Sequence, residues 1–122
     1  MELQAINGDF TVCKLNSVNH VDFTREFVFL SKTDEEISLV CEAEFVPYSA
    51  TAIEPGWRGF KVAGVLDFGM VGVIAKISAT LAAVGISIFV VSTYNTDYIF
   101  VKAESYDKCI NALVCEGYKL GA

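Results

Sequence analysis

No Cys-x-x-Cys pair occurs in these 122 residues, and His20 is the only histidine. A zinc or heavy-metal site built on clustered thiols and imidazoles is therefore not expected. Basic residues are also scarce, with nine Lys and Arg against fifteen Asp and Glu for a net charge of -6. Phosphate recognition needs clustered cations, so a nucleic-acid partner is not expected, whereas a mildly acidic surface favours cationic ligands. No apolar run approaches the roughly 18 residues of a membrane helix, and Met1 to Phe10 lacks a basic segment followed by an apolar core. The reading is a soluble, unexported, cytoplasmic protein without membrane association. A phosphate-binding loop ending in Lys-Ser/Thr and a Gly-x-Ser-x-Gly elbow are both missing, so no enzyme and no cofactor are expected.

What is present is apolar substance, 53% of the residues, enough for one compact domain or two small modules sharing a core. Cys13, Cys41, Cys109 and Cys115 all lie in apolar segments and read as buried free thiols. From Phe60 onward the pattern is regular. Phe60 to Leu66 reads as a strand, and Asp67-Phe68-Gly69-Met70-Val71-Gly72 as a glycine-bracketed turn into a helix. Val71, Ile74, Ile77, Leu81 and Ala82 then recur at helical spacing, with Lys76 and Thr80 on the other side and Gly85 as a left-handed cap.

Ile86 to Thr93 and Tyr98 to Lys102 read as a hairpin around Asn95-Thr96-Asp97. Ser105 is placed to cap a second helix with the stripe Tyr106, Cys109, Ile110, Leu113 and Val114, which Gly117 ends. Tyr118 to Leu120 then adds an edge strand, completing the order β, α, β, β, α, β of a ferredoxin-like unit. Ile88 and Val90 point to one face of the sheet, Phe89 and Val91 to the other. Helices cover only one face, so the N-terminal half, a second copy, or both must cover the other.

The first half is less regular. Phe10 to Leu15, Glu26 to Ser31 and Ile37 to Glu42 read as strands, with Thr33-Asp34-Glu35-Glu36 as a polar turn. Asn16 to Thr24 is a short helix or a loop, Phe45 to Ala50 at most one or two turns, and Pro55-Gly56 marks a junction. A shift of 61 residues pairs Ser31 with Ser92, Glu36 with Asp97 and Val40 with Val101, a weak internal repeat.

Two segments carry a resemblance: Leu66 to Ala75, and Gly85-Ile86-Ser87-Ile88-Phe89-Val90-Val91-Ser92-Thr93-Tyr94-Asn95-Thr96-Asp97-Tyr98-Ile99-Phe100-Val101. The second resembles the hairpin of aspartate-kinase-type ACT modules, and the cytosolic arginine sensors of the TOR pathway with their small bacterial relatives. The chain departs from the common ACT pattern in having Phe68-Gly69 where Pro-Gly is usual. The resemblance implies an α+β fold of two tandem ferredoxin-like (βαββαβ) ACT modules, antiparallel sheets with helices on one face. Residues 1–57 would form a degenerate module and 58–122 a complete one.

It further implies an amino-acid-binding regulatory protein, a homodimer holding its ligand where ACT modules meet. The ligand positions would be Asp67, Phe68, Gly69, Met70, Val71 and Gly72 from one module and Ser92, Thr93, Tyr94, Asn95, Thr96 and Asp97 from another. Amide donors at the helix start suit a carboxylate, and Asp97, with Asp67 as a second anion, suits an ammonium or guanidinium. Arginine or lysine is the expected ligand. Each residue has a plainer reading: Asp67 as a helix cap, Asn95 to Asp97 as turn chemistry, Gly69 and Gly72 as backbone needs. A ligand-free module for protein–protein interaction is the alternative function.

Overall fold

The computed structural model describes residues 1–63 and 71–121. Its elements in chain order are β1 (Glu2–Leu15), β2 (Val28–Lys32), β3 (Ile37–Glu42), β4 (Ala52–Val62), α1 (Val73–Ala83), β5 (Ile88–Ser92), β6 (Asp97–Lys102), α2 (Tyr106–Cys115) and β7 (Lys119–Gly121). One-turn 3-10 helices, Ala43–Phe45 and Ala103–Ser105, follow β3 and β6. The chain divides into two compact units, one of Met1–Asn7 with Arg58–Ala122 and one of Gly8–Trp57. Strands β1 and β4 each contribute residues to both units.

The first unit carries both α-helices. Its strand order is β7, β1, β4, β6, β5. β5 and β6 pair antiparallel from Ile88↔Val101 to Ser92↔Asp97, as the alternation of β-branched residues predicts. β7 pairs in parallel with the start of β1, Glu2↔Lys119 and Leu3↔Leu120, because the N-terminal segment lies between β7 and β4. One face of this sheet packs on the helices through Leu3, Phe60, Val62, Ile77, Leu81, Ile99, Val101, Cys109 and Leu113, with Ile88 and Val90 partly buried against them. Burial of each large aliphatic chain is worth about 2 kcal/mol before entropy, which holds helices too short to persist alone. On the other face Phe89 stacks on Phe100, ring centroids 4.8 Å apart and planes 10° from parallel, and Phe100 is fully buried.

Several expected details shift. α1 starts at Val73 rather than Val71, because Gly72 before it takes a left-handed φ of 82°. Val71 therefore leaves the apolar stripe and is 93% exposed. Ala82 and Val114 are exposed too, lying at the margins of their stripes, while Ala112 packs inward. Ser105 makes no side-chain cap: the 3-10 turn runs directly into α2, leaving Ser105 already in helical conformation. Gly85 does supply the left-handed cap, with φ 76° and its N–H on the Ala82 carbonyl.

The second unit has the strand order β2, β3, β1, β4 and no α-helix. β3 pairs antiparallel with β2 (Val28↔Cys41 to Lys32↔Ile37) and with β1 (Phe10↔Glu42 to Leu15↔Ile37). Its small core of Cys13, Leu15, Leu39 and Cys41 is closed by Val21, Val46 and Ala50, side chains of the connecting segments. Arg25 ties one such segment down, its guanidinium 4.0 Å above the Phe45 ring and 3.6 Å from Glu42 Oε1. Among the described residues both α-helices thus belong to one unit. The expectation of two tandem βαββαβ modules is corrected accordingly, since nothing between Leu15 and Val28 has helical periodicity to bury.

The expected Pro55-Gly56 junction lies just before the boundary between the two units, which falls between Trp57 and Arg58, and β4 runs through it without a turn. Within its unit this part of β4 is the terminal strand, where a missing proline N–H costs no ladder bond, and Gly56 takes φ 84°. The internal repeat holds at a shift of 60 residues rather than 61: Val28 maps to Ile88, Ile37 to Asp97 and Ala43 to Ala103, each an element start. In that register Phe29 matches Phe89, Thr33 matches Thr93 and Glu44 matches Glu104.

Cys13, Cys41 and Cys109 are buried and Cys115 is exposed, so the expectation of four buried thiols fails at Cys115. Brief alkylation of the native protein should modify one cysteine, against four in denaturant. Burial pushes the Cys41 and Cys109 thiols from 9.0 up to about 12. Their contribution to stability is complete below pH 9, where folded and unfolded thiols are both neutral. It is lost between pH 9 and 12, as unfolded thiols ionise first. Urea midpoints should accordingly fall on going from pH 8 to pH 11.

Candidate functional site

The β5–β6 hairpin closes on a four-residue turn whose hydroxyls are committed internally. Thr93 N–H and Oγ1 both donate to the Thr96 carbonyl at 2.9 Å, and Ser92 Oγ donates to Asp97 Oδ1 at 2.6 Å. Thr96 is buried, and its Oγ1 donates to the Val62 carbonyl at 2.8 Å. That bond fixes the turn beside the C-terminal end of β4. The first-half turn repeats the device, with Thr33 N–H on the Glu36 carbonyl at 2.9 Å and Thr33 Oγ1 accepting from Glu35 and Glu36 amides. Tyr94 projects outward, 81% exposed.

Removing the Thr96 hydroxyl isolates a buried carbonyl, which typically costs about 1–3 kcal/mol. Thr96→Val should show that loss in urea unfolding, and amide exchange at Thr93 and Asp97 should accelerate.

The start of α1 opens on a cleft of about 550 Å3, lined by Val71, Gly72, Val73, Lys76, Ala79 and Thr80 on one side and Met1, Glu116, Gly117 and Tyr118 on the other. Small-molecule sites commonly measure about 300–1,000 Å3. Among the described residues no side chain caps the α1 N-terminus, and no acidic residue stands in its first turn, so its positive end is not neutralised from within the helix. Across the cleft Glu116 and Gly117 close α2, at its negative end.

Of the residues expected to bind ligand, Val71 and Gly72 line this cleft. Ser92, Thr93, Tyr94, Asn95, Thr96 and Asp97 line none of it. Asp67, Phe68, Gly69 and Met70 lie outside the described residues. The left-handed φ of Gly72, with open space where a Cβ would point, is a sufficient backbone reason for that glycine. The sequence reading missed Lys76, Thr80 and Glu116. The four-residue spacing of Gly72, Lys76 and Thr80, which sets them on one helix face, was the available signal.

Among the described residues no group of three or more His, Cys, Asp or Glu is placed to hold a metal, and no helix is long and apolar enough to cross a membrane.

A family model described as ACT domain matches residues 52–114. The solved structure of protein Atu0741 from Agrobacterium tumefaciens is 30% identical over 98% of this chain and 91% of that one, with a TM-score of 0.87. VC0802 of Vibrio cholerae, described as a possible transport protein of unknown function, is 26% identical over 91% of this chain and 85% of that one, TM-score 0.72. The regulatory subunit of aspartate kinase from Thermus thermophilus shares the fold at 10% identity, covering 92% of this chain and 94% of that one, TM-score 0.64. No curated protein matches the sequence.

Proposed function

Because the chain belongs to the ACT-domain family, we propose that it is a regulatory protein that binds a small molecule, a free amino acid, and performs no catalysis itself. The observation that carries this reading is the cleft at the start of α1. A cleft with a helix N-terminus and Lys76 on one wall and Glu116 beside a helix C-terminus on the other suits a zwitterion. The carboxylate goes to the α1 amides, the ammonium toward Glu116. In this proposal Asp67 to Gly72 of one copy and Ser92 to Asp97 of a second copy complete the site in a homodimer, and Asp97 selects a basic side chain. Support for arginine or lysine comes from the acidic charge of the chain and from the resemblance of its Gly85 to Val101 segment to the hairpin of the arginine sensors. The likeness to an aspartate kinase regulatory subunit supports a regulatory role.

A ligand-free interaction module is the second reading, favoured by the internally satisfied hydroxyls of the Ser92 to Asp97 turn. Calorimetric titration with each proteinogenic amino acid separates the two. Arginine or lysine is expected to bind below millimolar concentration, and Asp97→Ala to weaken it about 10–100-fold, the worth of one charge-assisted hydrogen bond. Heat from no amino acid, with folded protein, would leave the interaction module; unchanged affinity in the variant would remove Asp97 from the site.

A further inference from the structure

In the unit Gly8–Trp57 the pairing of β1 with β3 sets Thr11 opposite Cys41 and Cys13 opposite Leu39. Cys13 and Cys41 are therefore diagonal neighbours, and the alternation of strand side chains turns both to one face. They meet there, both buried in the same small core. The other two cysteines have no such partner in their surroundings, Cys109 being the one thiol of the helix-bearing core and Cys115 exposed on α2. Val21, Val46 and Ala50 from connecting segments pack against the pair's core, and the unit has no α-helix of its own to seal it. Openings of such segments cost less than global unfolding.

We propose that Cys13 and Cys41 are a convertible thiol pair, closed to a disulfide by hydrogen peroxide when the segments above them open, which makes the helix-free unit an oxidation-sensitive element. Cys13 is taken as the attacking thiol, and Cys41, whose thiol burial pushes up to about 12, as the resolving one. Its thiolate displaces hydroxide from peroxide to give a sulfenic acid, and the Cys41 thiolate then attacks that sulfur and expels a second hydroxide. The two protons lost from the thiols convert both hydroxides to water, so two thiols and one peroxide yield one disulfide and two waters. Burial keeps both thiols protonated in the closed state, so the reaction runs through the opened one and quickens in sub-denaturing urea.

The test uses the full chain with Cys115→Ser, removing the exposed thiol, treated with peroxide with and without urea below the unfolding transition. Expected are a mass loss of two hydrogens, reversed by dithiothreitol, a Cys13–Cys41 linked peptide, and a rate at least several-fold higher in urea. Adding Cys41→Ser should let dimedone trap Cys13 sulfenic acid at least tenfold more than when Cys41 is present. The parent measurement stands whether or not that variant folds. Thiols that stay reduced in urea, Cys13 passing to sulfinic acid with Cys41 intact, or a link to Cys109 would each overturn the proposal.

Discussion

Replacing Phe100 by alanine is expected to lower stability by about 3–5 kcal/mol, the usual cost of truncating a buried phenylalanine. Its ring is fully buried, stacked on Phe89, and held on the sheet face away from the helices. For a chain of this length the loss corresponds to roughly 10–20 °C in thermal midpoint. Phe100→Leu, which keeps most of the volume, should lose less than half as much. A midpoint unchanged by Phe100→Ala would mean that this face contributes nothing to the fold.

Gly59 is the complement of that ring. A Cβ built on it would lie 2.7 Å from Phe100 Cε1, 2.9 Å from Cδ1 and 3.0 Å from Ile6 Cδ1, all inside normal contact. Gly59 and Phe100 are both buried, so neither the ring nor the strand can yield into solvent. Gly59→Ala is expected to cost about 1–3 kcal/mol by overpacking, although alanine ordinarily improves a strand position over glycine. In a Phe100→Leu background the same substitution should cost less, with about 1 kcal/mol of coupling in a double-mutant cycle of urea midpoints. Additive losses would place the strain elsewhere.

These two residues mark the limits of what the sequence makes legible. Phe100 falls in the alternating run Tyr98 to Lys102, and period-two patterning found β6 and, residue for residue, β3 at Ile37–Glu42. Both helices were legible because their apolar residues repeat at 3.6 and glycines close them. The need for glycine at position 59 was not, since it arises from a ring forty-one residues away. Pro55-Gly56 pointed to a boundary, and the units do part just beyond it at Trp57, but the chain passes through as one strand because a terminal strand tolerates both residues. The placement of Met1–Asn7 between β7 and β4 depends on long-range pairing that no local pattern encodes. The Ser92 to Asp97 turn, which lines none of the cleft, was legible from its composition. The cleft wall at Lys76 and Glu116 was not, because its residues come from separate elements and look like ordinary exposed charges.

The central claim is that a free amino acid is held at the start of α1. Backbone amide shifts of 15N-labelled protein, recorded while arginine or lysine is added, test it most directly. Saturable changes concentrated at Val71 to Lys76 and at Glu116 and Gly117, joined by Ser92 to Asp97, are predicted. Saturable changes confined to other strands, or none at millimolar ligand for any amino acid, would contradict it.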